Sequence, residues 1–253
     1  MISSEVIKQL ATRYRTSEPN VVREYLQHAF LSELYKLPGS GKILFKGGTA
    51  LRIVYNSPRF SEDLDFSLFG VHNHEQKNFV EDLFAAVLVA IEHSGIHVTL
   101  HGKSDTTKGG YWGAAIFQYL DYSAVNVAIN ISSRDEKIIQ GEVETIANDF
   151  IPSYNLVHLP KEDLVEEKIF GALIERHKER DFYDLYFMLR KGMLSPAQKN
   201  HLAKVKEQIL ALAKEKDFKN ELGVFLPADQ QTIIADFHRA LRDELNRQTS
   251  EVV

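Results

Sequence analysis

Two aspartates, Asp63 and Asp65, have the residue type and spacing that most directly indicate chemistry. In an extended strand, side chains two positions apart project from the same face, here about 6 to 7 Å apart along the chain. Their carboxylates can then converge on one cation. Hard oxygen ligands suit Mg²⁺ or Mn²⁺, which proteins hold through one or two carboxylates while phosphates and water complete the coordination. We therefore predict Asp63 and Asp65 as metal ligands.

A glycine pair upstream of these acids, Gly47 and Gly48, is followed by Thr49. Backbone N–H groups without flanking side chains, at the start of a helix, form a concave site for anions, and the threonine hydroxyl adds a donor. We predict that these three residues bind phosphate. A phosphate site combined with two metal-binding carboxylates indicates a nucleotide as the ligand.

Each feature also has an ordinary structural interpretation. A Gly-Gly pair alone is usually only a turn, and an Asp-x-Asp pair is common on a solvated strand face. Here the two acids alternate with Leu64 and Phe66 in an apolar strand predicted over residues 60–69. Aspartate is disfavoured in strands, so two of them in one core strand favour the functional interpretation.

Lys168, in the second half of the chain, lies at helical spacing from Leu164 and Ala172 and interrupts an apolar stripe. Its stem either passes the edge of the core to reach solvent or the residue lines a cleft. The spacing leaves both interpretations open. In a cleft, the compact ammonium charge of lysine would suit a triphosphate.

Two further acids, Asp181 and Asp184, are three residues apart and share one face of a helix that is apolar on nearly all sides. A buried acid needs a partner, which a nearby basic residue could provide as a purely structural ion pair. The candidates are Arg176, Lys178 and Arg180. In the functional interpretation, Asp181 lies near Lys168 or near a substrate hydroxyl that attacks a phosphate. Asp184 then orients the helix or the site.

These motifs together resemble a known family. Gly-Gly-Thr-Ala-Leu-Arg at 47–52, followed by Arg59-x-Ser61-x-Asp63-x-Asp65, resembles the first motif of the AbiEii/MenT nucleotidyltransferase toxins. That family is a branch of the polymerase-β-like nucleotidyltransferase superfamily. Lys168, followed by Arg-Asp-Phe-Tyr-Asp-Leu at 180–185, is similar to its second signature.

The resemblance implies a minimal nucleotidyltransferase fold with a helical C-terminal domain and a divalent metal. It also implies transfer of a nucleotide from an NTP to an acceptor, in studied relatives often tRNA. We therefore expect the toxin of a toxin–antitoxin or abortive-infection system, with RNA as the acceptor and a cognate antitoxin as a partner.

In the expected mechanism, the glycine motif and Lys168 hold the triphosphate while the paired acids hold the metal. Ser61 would orient the nucleotide, and Arg59 would support the strand or contact phosphate. Asp181 would position or deprotonate the acceptor, and Asp184 would contribute to the substrate site. Two alternatives stay open: a catalytically silent module that binds nucleotide or RNA, and an NTP-dependent transferase that modifies protein.

One departure from the superfamily concerns a third carboxylate, which many of its enzymes carry on a neighbouring strand. The obvious candidate, residues 124–131, contains no acid. Either Asp181 takes that role, or two carboxylates suffice for metal binding, or turnover has been lost; we favour the first.

Composition narrows the class of protein further. The chain has 253 residues, 30 Lys and Arg against 35 Asp and Glu, a net charge of −5 and no cysteine. Disulfides, thiolate nucleophiles and cysteine-ligated metals are therefore excluded. No apolar run approaches the roughly 20 residues that span a bilayer, so we predict a cytoplasmic protein without a membrane partner. The acidic balance argues against coating nucleic acid by bulk charge.

The hydrophobic pattern predicts an α+β protein. Residues 1–160 should form a nucleotidyltransferase-like domain with a mixed β-sheet and flanking helices, and residues 161–253 a helical domain completing the active-site cleft. A loop at 103–112, with Lys103, Lys108, Tyr111 and Trp112, could grip RNA or be a plain hairpin. The predicted strands are 43–45, 60–69, 96–100, 114–120 and 125–132, and the predicted helices are 3–37, 49–56, 75–94, 161–177, 179–190, 195–215 and 227–247.

Overall fold

The computed structural model describes residues 1–101, 110–133 and 139–250, and the chain divides into two compact units. The first unit comprises residues 1–56 and 60–159, and the second comprises residues 57–59 and the chain from Pro160 onward. The side chains of the predicted RNA-gripping loop, Lys103, Lys108, Tyr111 and Trp112, lie outside the described residues.

Capping residues and a proline set the ends of the first two helices of the first unit. Ser3 caps the first helix by accepting a hydrogen bond from Val6 N, and Arg15, at φ 52°, ends it. Pro19 in the first turn then starts a second, mostly buried helix. The single helical stretch predicted over 3–37 is therefore two helices. The helices of this unit are α1 (Ser4–Tyr14), α2 (Glu18–Leu34), α3 (Gly47–Ile53) and α4 (Asn73–His93).

A mixed sheet of seven strands in the described residues forms the core of the first unit. The strands are β1 (Ile43–Lys46), β2 (Leu64–Leu68), β3 (His97–His101), β4 (Gly110–Gln118), β5 (Val125–Ser133), β6 (Glu142–Ile146) and β7 (Tyr154–His158). Their order is β3-β4-β5-β2-β1-β7-β6, with β2 at the centre. β2 runs antiparallel to β1 and parallel to β5. The predicted α+β class is confirmed.

Several predicted boundaries in this unit are wrong. The strand predicted over 60–69 begins only at Leu64, and the helix predicted over 49–56 begins at Gly47 and ends at Ile53. β6 and β7 were not predicted. β6 exposes four of its five residues, so it lacks the apolar alternation that reveals a strand.

The second unit is helical in its described residues. Its helices are α5 (Lys161–Glu166), α6 (Ile174–Arg176), α7 (Glu179–Arg190), α8 (Pro196–Lys214), α9 (Phe218–Phe225) and α10 (Phe237–Ser250). A π-helical turn, Glu167–Leu173, joins α5 to α6. Ser195 caps α8 in a reciprocal capping box with Gln198, which confirms the predicted start of that helix.

The helix predicted over 227–247 starts too early, because a 3₁₀ segment, Gln231–Asp236, precedes α10. α9 was not predicted. The core of the unit is an aromatic cluster in which Phe218 packs against Phe182 and Phe237. Within the described residues, no helix has the length and apolar character needed to cross a membrane.

Candidate active site

The first position of α3 requires glycine. Gly47 has a φ of +81°, a left-handed backbone conformation that residues with a side chain rarely adopt. A Cβ atom here would lie 2.8 Å from Cβ of Asp65 and closer still to its Oδ2. The structure therefore places a predicted phosphate-binding glycine directly against a predicted metal-binding carboxylate.

Asp65 lies on the central strand between two polar neighbours. Lys46 is opposite it on β1, and Asn130 is opposite it on β5. Asn130 Nδ2 donates a 3.0 Å hydrogen bond to Oδ1 of Asp65. Asn130 thus supplies a neutral amide, not a carboxylate, beside Asp65 on the neighbouring strand.

Asp63 lies immediately before β2, which begins at Leu64, so the strand predicted over 60–69 starts later than expected. The segment ahead of the strand is fixed by side chains: Thr49 donates its hydroxyl hydrogen to the backbone carbonyl of Asp63. Thr49 is fully buried. Its hydroxyl was predicted to bind phosphate, whereas the structure uses it to hold the chain at Asp63.

The residues just before Asp63 are held by α2 and α3. Gln27 Nε2 donates hydrogen bonds of 3.0 Å to the carbonyl oxygens of Ser61 and Glu62. The guanidinium of Arg52 lies 4.1 Å from the ring centroid of Phe60, a cation–π contact. This part of the site therefore takes its shape from side chains distant in the sequence.

The donor set of the first unit fits a divalent cation of the Mg²⁺ type. Asp63 and Asp65 are half-buried and offer carboxylate oxygens, the ligand that Mg²⁺ and Mn²⁺ prefer. Across residues 1–101, 110–133 and 139–250, no three His, Asp or Glu side chains group into a metal site. Two carboxylates match a cation that takes its remaining ligands from water and phosphate.

The second unit contains a buried group of ions centred on Lys168. Its Nζ lies 2.7 Å from Oδ2 of Asp184 and 3.5 Å from Oδ1 of Asp181. Lys168 is only 8% exposed. It lies in the π-helical turn, a distortion often found at functional sites. The structure thus joins the three predicted residues of this half of the chain.

Two arginines complete this group. Arg59 belongs to the second unit. It donates hydrogen bonds to Asp184, with Nε–Oδ1, Nη2–Oδ1 and Nη2–Oδ2 distances of 2.9, 2.8 and 2.9 Å. Arg176 grips Asp181 with Nε–Oδ2 and Nη2–Oδ1 distances of 2.8 and 2.7 Å. Of the three basic residues predicted as partners of the buried acids, Arg176 forms hydrogen bonds with Asp181. In these contacts three cations meet two carboxylates, and such an excess of positive charge would suit an anionic ligand.

The charge state of Asp181 follows from these contacts. Burial by itself would raise the pKa of its carboxyl, but the hydrogen bonds from Arg176 and the positive charges of Lys168, Arg176 and Arg180 outweigh burial. The pKa therefore lies below its usual value, and Asp181 is ionised at neutral pH. Asp184 is fully buried, with both oxygens on cations, so the structure shows it supporting Lys168 and Arg59.

Sequence reasoning missed Gln27 and Asn130, which contact the candidate site, and Lys46, which lies opposite Asp65 on β1. Gln27 had a usable signal, since it shares a helix face with the apolar Phe30 and Leu31, and buried polar groups need partners. Asn130 had none, because an asparagine in an alternating strand reads as an ordinary solvated position.

The fold of this chain is similar to that of solved structures described as nucleotidyltransferases. The nucleotidyltransferase toxin MenT4 from Mycobacterium tuberculosis H37Rv superposes with a TM-score of 0.67 at 14% identity, covering 98% of this chain and 90% of that one. A Helicobacter pylori protein described as a proposed nucleotidyltransferase gives 0.66 at 22% identity, with 93% and 97% covered. JHP933 from Helicobacter pylori gives 0.66 at 21% identity, with 94% of each chain covered.

The sequence itself identifies the family. Residues 29–251 match the family described as the nucleotidyl transferase AbiEii toxin of type IV toxin–antitoxin systems, and this protein belongs to that family. A comparison with curated proteins found no match. The family and the fold together support a transferase, and the resemblance predicted from the motifs is confirmed.

Proposed function

We propose that this protein is a metal-dependent nucleotidyltransferase that transfers a nucleotide from an NTP to an RNA acceptor such as tRNA. It acts in the cytoplasm as a toxin partnered by a cognate antitoxin. The observation that carries this proposal is the contact between Gly47 and the Asp65 carboxylate. This contact joins a candidate phosphate site to a candidate metal ligand at the start of one helix.

In this proposal the first unit binds the nucleotide and the metal. Backbone N–H groups at Gly47 and Gly48 bind phosphate oxygens, and Ser61 orients the nucleotide. Asp63 and Asp65 hold Mg²⁺ or Mn²⁺, a cation that neutralises phosphate charge when bound. Thr49 acts indirectly, by fixing the backbone of Asp63.

The second unit supplies a positive charge for phosphate. Lys168 is the cation shared by the two buried acids, and the excess positive charge around it suits a phosphate oxygen. Asp181 positions this ammonium group; with its lowered pKa it is a weak base for an acceptor hydroxyl. Asp184 holds the same ammonium from the other side, and Arg59 holds Asp184.

One observation favours a second candidate, a catalytically silent module that binds nucleotide or RNA. The strand beside Asp65 carries the amide of Asn130 and, over residues 124–131, no third acid. A silent protein would retain labelled nucleotide without forming a new covalent product.

Incubation of the purified protein with each labelled NTP, Mg²⁺ and total RNA separates these functions. We expect labelled RNA, and we expect Asp63→Ala and Lys168→Ala to abolish it while leaving the fold intact. Asp82→Ala and Lys204→Ala, at exposed positions, are matched controls. Retention without product would favour the silent module, and a mass increase on Ser, Thr or Tyr would favour protein modification. Wild-type rates in either active-site variant would contradict the proposal.

A further inference from the structure

The short segment at residues 61–63, here called the carboxylate segment, leads into β2 but lies before the residues of β2 that pair with β1 and β5. The pairing of β2 with β5 begins at Leu64 of β2, and its pairing with β1 begins at Asp65 of β2. The segment carries a predicted metal ligand and a predicted nucleotide contact. Its position must therefore be set by groups outside the sheet.

Gln27 is one such group. It lies on α2 and is 2% exposed. Its amide nitrogen lies 3.0 Å from both the Ser61 and the Glu62 carbonyl oxygens. A glutamine amide nitrogen carries two hydrogens, so this side chain uses its full donor capacity on two consecutive peptide groups.

Neighbouring contacts leave the segment little freedom. Thr49 donates to the carbonyl of Asp63, so three consecutive carbonyls accept hydrogen bonds from two buried side chains. One turn before Gln27 on α2, Arg23 forms an ion pair with Glu62 at 3.6 Å. These contacts fix the backbone at Asp63 and at the two residues before it. They therefore set where the Asp63 carboxylate can point.

We propose that Gln27 is a positioning residue for metal and nucleotide binding, acting through the backbone of the carboxylate segment. The inference rests on the proposed metal-dependent transfer and deepens it. Gln27 lies outside residues 29–251, the range that matches the family. The side chain contacts peptide groups, so its effect reaches the metal only through Asp63.

Gln27→Met is the sharpest test, because methionine keeps the length and approximate volume of glutamine while removing both donors. Tyr35→Phe is the matched control. The hydroxyl of Tyr35, which follows α2, also lies within hydrogen-bond distance of two backbone carbonyls, those of Ile43 and Val157, at 2.8 and 2.7 Å, and its one hydrogen is donated to either of them. It holds a different part of the same unit. Gln27→Asn, which keeps the amide but shortens its reach by one methylene, is a milder second variant.

Mn²⁺ affinity, measured by electron paramagnetic resonance of the free ion, gives a readout independent of turnover. Removing a group that orients a ligand typically costs about 10- to 100-fold in metal affinity or activity. We expect Gln27→Met to weaken Mn²⁺ binding by about tenfold and to raise the Mg²⁺ concentration for half-maximal incorporation similarly. Gln27→Asn should weaken both less, and Tyr35→Phe should leave both within about twofold at comparable stability.

Two outcomes would overturn the inference, and they differ. In the first outcome, wild type incorporates nucleotide and Gln27→Met matches Tyr35→Phe in Mn²⁺ affinity. The positioning role is then wrong and the proposed function stands. Gln27→Asn takes the place of Gln27→Met in this comparison if the methionine variant does not fold. If wild type neither binds Mn²⁺ nor incorporates nucleotide, the proposed function fails and the inference fails with it.

Discussion

Asp65 and Asn130 lie in register on adjacent parallel strands, and the amide of Asn130 donates a 3.0 Å hydrogen bond to the Asp65 carboxylate. Asn130 therefore places a neutral donor, which adds no negative charge, beside the candidate metal ligand.

Asn130→Asp should make the protein depend on metal for its stability. Two carboxylates at hydrogen-bond distance repel each other, and a divalent cation relieves this repulsion. We expect a lower melting temperature than wild type without Mg²⁺ and a larger rise in melting temperature on adding Mg²⁺, measured by thermal unfolding. Asn130→Ala, which removes the amide without adding charge, is the control. Equal Mg²⁺-induced shifts in all three proteins would show that a carboxylate at position 130 adds nothing to cation binding and would contradict this prediction.

Gly47→Ala should destabilise the fold and abolish nucleotide incorporation. The substitution forces a side chain into a left-handed conformation and into contact with Asp65, a strain on the order of 1–3 kcal/mol before the clash is added. Gly41→Ala is the control, because a Cβ there meets no atom within 4 Å. Chemical denaturation of both variants measures the difference. An alanine at position 47 that is as stable and active as wild type would refute the close contact.

Arg59→Met should be strongly destabilising, because it leaves a buried carboxylate short of a partner. Arg59 and Asp184 each have side chains 1% exposed, and breaking a buried pair by removing one partner costs about 3–5 kcal/mol. Arg242→Met breaks an exposed pair with Asp243 and should cost about 0–1 kcal/mol. Urea denaturation compares the two. Similar losses would mean that the Arg59–Asp184 pair contributes no more than a surface contact.

His28 should make stability depend on pH. Burial, and secondarily the charge of Arg52, lower the pKa of His28 to about 3 from 6.5. The unfolded chain then binds a proton that the folded chain excludes, so this contribution to the free energy of unfolding is complete above about pH 6.5 and declines as the pH falls toward 3.

His28→Asn should flatten the pH profile of unfolding between these two values, as measured by denaturation at a series of pH values. His74→Asn, at a histidine that is 80% exposed, should leave the profile unchanged. If removing His28 leaves the slope as it is in wild type, the buried histidine is protonated in the folded protein.

The site was predictable from the sequence where local pattern determines it. The helix that follows β1 and the strand at Asp65 follow from an apolar run, a Gly-Gly pair and alternating acids, although the helix starts two residues earlier than predicted. The start of β2 was not predictable, because Gln27 holds the carboxylate segment from more than 30 residues away in the chain. Such contacts leave no periodic signal.

The buried charges of the second unit show the same limit. Arg176 lies five residues before Asp181, and its nearness in the sequence made it a candidate partner. Arg59 is separated from Asp184 by 125 residues, and nothing in either local pattern links them. The exposed residues of β6 likewise gave no strand pattern, since that strand buries only Ile146.

The most direct test of the account is a crystal structure with Mn²⁺ and a non-hydrolysable NTP, with the metal located by its anomalous scattering. We predict one Mn²⁺ bound by carboxylate oxygens of Asp63 and Asp65, with phosphate oxygens on the backbone N–H groups at Gly47 and Gly48. A nucleotide and Mn²⁺ bound elsewhere, with both aspartates turned to bulk solvent, would contradict the central claim.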